Sequence, residues 1–85
     1  MKTKDYGLVC TLVCKGQNIK EFTTDGTGQV WFEFLENDKV TDVTNEFFMN
    51  KVSVPVQDFL SVQKMVKNII YGKGNYGYDD RKSYR

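Results

Sequence analysis

Cys10 and Cys14 are the residues of this 85-residue chain best suited to hold a metal or form a bridge, and they stand four apart. On a helix that spacing puts both thiols on one face. A structural zinc site usually needs four ligands, and the chain offers two thiols and no histidine. A disulfide across one helical turn strains the required geometry. The favoured reading is a pair of small apolar residues in a reducing cytosol. A dimer pooling four thiols is the lesser alternative. Without histidine, Ser-His-Asp and Cys-His catalysis and the commonest general base are also missing. No carboxylate pair stands in an apolar setting that would shift its pKa. The expectation is a protein that is not an enzyme and needs no cofactor and no metal.

Two further patterns invite functional readings. "GKGNYG", Gly72 to Gly77, has the spacing of G-x-G-x-x-G. That motif works between a strand and a helix N-terminus, whereas here it follows a helical pattern and leads into a polar tail. It reads as a helix stop and a flexible linker. Phe32, Phe34, Phe47, Phe48 and Phe59 could stack on bases, as aromatics do in single-strand binders. Most of them recur at apolar-periodic positions, so core packing is favoured. Trp31 differs, because its strand face also carries Glu33. It is either covered by the first helix or exposed for a partner.

The elements that position these residues read as follows. "TKDYGLVCTLVCKG" has Thr3 or Asp5 as N-cap, apolar residues at helical spacing, and Gly16 at the left-handed C′ position. Helix is favoured over strand, although Val, Thr and Cys are mediocre helix formers. "NIKEFTTDGTGQVWFEF" places two β-rich runs around Asp25-Gly26-Thr27-Gly28, a hairpin signal. Val30, Phe32 and Phe34 point one way, toward the core, and Trp31, Glu33 and Leu35 point the other. Val40, Val43, Phe47 and Phe48 give a short amphipathic helix, with Thr41 or Thr44 as its cap and Asn50 as its stop. Pro55 suits the first turn of a last helix. Its broad apolar stripe is Val56, Phe59, Leu60, Val62, Met65, Val66, Ile69 and Ile70, with Tyr71 packing beside it and Gly72 ending it. The fold class predicted is α+β: a small single domain, helix–β-hairpin–helix–helix, with an antiparallel sheet and the helices packed on one face. The domain is expected to span residues 1–72, with 73–85 a flexible Gly/Tyr/basic tail.

Net charge is +1, unevenly divided. Residues 1–50 set five lysines against eight acids, giving −3; residues 51–85 set seven cations against three aspartates, giving +4. A dedicated duplex-DNA binder is usually more basic. The apolar runs fall short of the roughly 18–20 residues of a membrane span, and the N-terminus does not read as a secretory signal. The expected location is the cytoplasm, with no membrane partner.

An apolar segment ending in "VCKG", then "IKEF" and "DGTGQVWFEF", then "VTNEFFMNKVSVPVQDFLSVQKMVKNIIY" together resemble a family of very small phage and prophage proteins of unknown function. Residues 4–71 carry the likeness. The segment from Leu8 to Cys14 departs from the alanine-rich version of that pattern. The resemblance implies a phage or mobile-element origin, and hence a host cytosol. It brings no catalytic residues.

Two functions follow as expectations. The first is a non-catalytic accessory protein that binds a host protein or nucleoprotein complex, acting as an inhibitor of a defence system. Trp31, Glu33, Glu36, Asp38 and Asp42 would make the contact, because aromatic anchors with mixed charge are what interfaces favour. The alternative is a single-stranded nucleic-acid-binding accessory protein. Lys64, Lys67, Lys73, Arg81, Lys82 and Arg85 would meet phosphates, and Tyr76, Tyr78 and Tyr84 would stack on bases. Homo-oligomerisation through an open sheet edge is compatible with either.

Overall fold

The computed structural model describes residues 1–72. The tail from residue 73 onward, and the expectation placed on it, lie outside the described residues. The first helix, α1 (Tyr6–Cys14), begins at the expected cap: the Asp5 carboxylate accepts from the Leu8 N–H at 3.0 Å. It ends with Gly16 at φ +92°, where Gln17 N–H donates to Leu12 O and Gly16 N–H to Val13 O, each at 3.0 Å. This pair of bonds satisfies carbonyls that a helix end leaves orphaned. Leu8, Val9, Cys10, Thr11 and Leu12 are buried in an unbroken run. That all-round burial overrides the weak helix propensity of the segment.

Three strands form one antiparallel sheet: β1 (Lys2–Thr3), β2 (Ile19–Thr24) and β3 (Val30–Phe34), in the order β1-β3-β2. The sequence reading had two strands. β1 is only two residues long and polar, so it carries no alternation to detect. It is held where Lys2 and Thr3 pair with Glu33 and Phe32, and where Phe34 N–H donates to the Met1 carbonyl at 2.8 Å. Val30, Phe32 and Phe34 are buried, as the alternation required. Lys20 is an extra residue in β2, between the pairs Ile19–Phe34 and Glu21–Glu33. A bulge of this kind twists an edge strand and works against further strand addition.

The hairpin closes through a three-residue loop. Gly28 N–H donates to Asp25 O at 3.1 Å, and Asp25 N–H donates to Gln29 O at 2.9 Å. Gly28 takes φ +90°, the left-handed position of such a loop, while Gly26 does not use positive φ.

Helix α2 (Asp38–Phe48) starts earlier than the sequence reading placed it. Its cap is Asn37, whose side-chain oxygen accepts from Val40 N–H at 2.8 Å, and not Thr41 or Thr44. Starting there brings Val40 as well as Val43 into the core. Asn50 stops the helix as expected. At φ 59° it does the work of a glycine, and Lys51 N–H donates to Glu46 O at 2.8 Å. Phe47 packs against α1, where Gly7 leaves room: a Cβ at Gly7 would stand 3.3 Å from the Phe47 ring. Phe48, expected in the core, is 66 % exposed and meets Phe47 edge-on at 5.2 Å between centroids.

Helix α3 (Val56–Gly72) opens on the Pro55 carbonyl, which accepts from Phe59 N–H at 3.0 Å. Val66 is fully buried, and Phe59, Val62, Ile69 and Ile70 pack against the core. The Tyr6 hydroxyl donates to the Gln63 carbonyl at 3.1 Å, tying α1 to α3. Gly72, the last of the described residues, is helical. The expected stripe is wider than the buried one: Val56, Leu60, Met65 and Tyr71 are exposed. One helix facing one core buries an apolar arc of about 100°, and these residues fall beyond it.

The three helices share a single core with the Val30/Phe32/Phe34 face of the sheet, an α+β arrangement. The loop geometry separates its two glycines. Gly28→Ala is expected to destabilise the protein by about 1–2 kcal/mol, because alanine is strained at positive φ. Gly26→Ala should change stability by less than about 0.5 kcal/mol or raise it. Chemical denaturation of both variants checks this.

Candidate functional site

Trp31 and Glu33 lie on the sheet face away from the core, both half-buried. Trp31 is opposite Thr23 on β2, and the Lys4 ammonium sits 5.4 Å from the centre of its ring. The indole Nε1–H donates to Asp25 Oδ2 at 2.8 Å. The other oxygen of Asp25 accepts from Thr27 N–H at 2.9 Å, the Thr27 hydroxyl at 2.6 Å and Gln29 N–H at 3.1 Å. The Thr27 hydroxyl first, and the indole second, hold the Asp25 carboxyl well below the usual carboxylate range. Trp31 is thus covered neither by α1 nor left bare. It is clipped to the hairpin turn and shielded by a lysine.

The acidic residues named with Trp31 are dispersed among separate tasks. Glu33 pairs across the sheet with Lys2 and Glu21, and its carboxylate stands 4.0 Å from the Lys20 ammonium. Glu36 lies 3.3 Å from the Met1 ammonium. Asp38 occupies the first turn of α2, where a negative charge favours the helix dipole. Asp42 is exposed one turn on. Among the described residues no hydrogen bond or ion pair links the sheet pair to the α2 acids.

Of the basic set, Lys64 and Lys67 are exposed on α3, and among the described residues neither is in an ion pair. With Gln57, Leu60, Ser61 and Gln63 they line a depression of about 340 Å³. Lys73, Tyr76, Tyr78, Arg81, Lys82, Tyr84 and Arg85 lie outside the described residues.

A feature the sequence reading missed adjoins that depression. A groove of about 450 Å³ runs between the end of α2 and the start of α3. Phe47 and Asn50 form one wall, Val52 and Val54 the end, and Val56, Phe59 and Leu60 the other wall. Its floor is Thr11, whose hydroxyl is satisfied by donating to Gly7 O at 2.8 Å. The intervening residues 51–55 belong to no helix or strand, and their burial alternates. Lys51 and Ser53 point to water while Val52 and Val54 are half-buried, and Pro55 biases Val54 toward extended backbone. Exposed Phe48 and Met49 follow Phe47 at the end of α2. The signal for this groove was in the sequence: the apolar positions of α3 spread over more than half of its circumference.

The cysteines behave as packing residues. Cys10 is fully buried and Cys14 half-buried, both as free thiols. Burial, and then the neighbouring Cys14, push the Cys10 thiol up to about 11, so it stays protonated and unreactive at neutral pH.

The Asp25 clip generates a pH test. A carboxyl held low by folding stabilises the native state above its ordinary pKa of 3.8, and that contribution is lost as pH falls below it. The stability gap between wild type and Asp25→Ala should be widest near neutral pH and shrink below pH 3.8. Trp31 emission during urea unfolding reads it. A gap that does not change with pH would contradict the clip.

No curated protein and no solved structure matches the chain. Residues 1–72 match the model of the domain of unknown function DUF5659, and the chain belongs to that family.

Proposed function

We propose that this chain is a non-catalytic protein-binding module and that the α2–α3 groove is its contact surface. The observation that carries this reading is the position of the exposed large apolar side chains. Val56 and Leu60 are exposed and line one groove, and the exposed Phe48 and Met49 directly follow Phe47, another of its lining residues, in the sequence. Contiguous exposed apolar surface of this kind marks interaction sites, and aromatic and aliphatic anchors in pockets dominate binding energy. This reading puts the contact at the groove rather than at the expected Trp31 face, where the indole bonds Asp25 and Glu33 stands near Lys20. The likeness of residues 4–71 to very small phage and prophage proteins supports a more specific reading. The partner is then a host protein or nucleoprotein complex, and the chain is its inhibitor.

A second reading keeps a specific observation of its own. Lys64 and Lys67 stand exposed and without an ion pair among the described residues, and they line a depression. A single-stranded nucleic acid could use them.

A photo-crosslinking side chain placed at Leu60, in protein expressed in its native cell, tests the groove directly. The expected result is a dominant protein adduct, competed by unlabelled wild type and reduced about tenfold or more by Phe48→Asp. The same reporter at Thr23, exposed on the sheet, should give no such adduct. Protein adducts at Thr23 and not at Leu60 would return the site to the sheet face. Adducts to nucleic acid would favour the second reading.

A further inference from the structure

The outward side of α3 carries more order than a loose apolar surplus. Val56, Leu60, Lys64, Lys67 and Tyr71 are all exposed. Their spacing is four, four, three and four, which keeps them in one row along the helix. This is the spacing on which a second helix packs. At its N-terminal end the row enters the α2–α3 groove, since Val56 and Leu60 are wall residues there. In its middle lie Lys64 and Lys67, and no acidic residue belongs to it. Asp58, the acid of α3, lies on a different side of the helix.

We propose that the groove and this row take an amphipathic helix whose apolar ridge is flanked by acidic side chains; the proposal rests on the protein-binding reading above. Two observations select that occupant. A small apolar ligand needs most of its surface enclosed, yet the walls at Val56 and Leu60 are 70 % and 46 % exposed. Such an open trough suits a ridge of side chains from another helix. A second copy of this chain meeting the row in a two-fold contact would set the same patch against itself. Lys64 and Lys67 would then face their own counterparts with no acid on the row to neutralise them. A helix with carboxylates beside its ridge reverses the sign of that interaction and leaves the apolar contact unchanged.

Fluorescence anisotropy with the full chain and two labelled synthetic peptides tests this. Each peptide is a helix of nearly five turns, about the length of α3, with the same leucine ridge. One is flanked by glutamates and the other by lysines. The glutamate peptide should bind, and binding should weaken as salt rises. Lys64→Glu with Lys67→Glu should weaken it about tenfold and should gain affinity for the lysine peptide. Both side chains are exposed, so the variant should fold, and its circular dichroism and thermal midpoint confirm that independently. Equal binding of both peptides, lost in Leu60→Asp, would overturn the charge inference while leaving the groove reading standing. Binding of neither peptide would overturn the occupant proposed, and the crosslink at Leu60 then decides the groove separately. Tighter binding of a labelled single-stranded oligonucleotide through the same two lysines would also overturn it.

Discussion

Helix α1 has no side to give to water, and the placement of every other element follows from covering it. Five consecutive residues, Leu8 to Leu12, are buried, which on a helix covers more than one full turn. One neighbour cannot enclose such a segment. The covering comes from Val30, Phe32 and Phe34 of β3, from Val40 and Val43 of α2, and from Val66 of α3. Burying each of those side chains contributes on the order of 1.5–3 kcal/mol, large against the roughly 5–15 kcal/mol by which a domain is stable. Capping bonds at Asp5 and Asn37 and the left-handed turns at Gly16 and Asn50 set where the helices start and stop. They decide the lengths, while the demand of α1 decides the arrangement.

The same demand explains the groove. α3 touches the core along one side only, so apolar residues elsewhere on its circumference have nothing of this chain to pack against. Residues 51–55 join the end of α2 to the start of α3, and the space there is walled by Phe47, Val52, Val54 and Leu60. Val56, Leu60 and Phe48 lie outside the buried cluster formed around α1. Their exposure is a solubility cost that folding does not require, and the proposed binding role rests on it.

Much of the fold was legible because it rests on local rules. Gly16 and Asn50 as helix stops, Asp5 as a cap, the hairpin around residues 25–28 and the inward Val30/Phe32/Phe34 face each depend on a few adjacent residues. β1 was not legible, because a two-residue polar strand gains its position only from the edge of β3. The true cap of α2 was passed over because Thr41 and Thr44 also satisfy the composition of a cap, and only the burial of Val40 decides for Asn37. At the site the difficulty was of another kind. Periodicity reports which residues are apolar, not how much surface the neighbours can cover. Phe48, Val56 and Leu60 therefore looked like core, and the bond from the Trp31 indole to Asp25 left no trace in the alternation of the strand.

The apolar residues of this chain divide into a set that encloses α1 and a set that does not. Equilibrium urea unfolding of two variants separates the sets. Leu12→Ala, within the buried run, should cost about 2–5 kcal/mol. The double variant Val56→Ser with Leu60→Ser should cost less than about 1 kcal/mol and leave the slope of the transition unchanged. Comparable losses in the two would contradict the division and return the groove residues to the core.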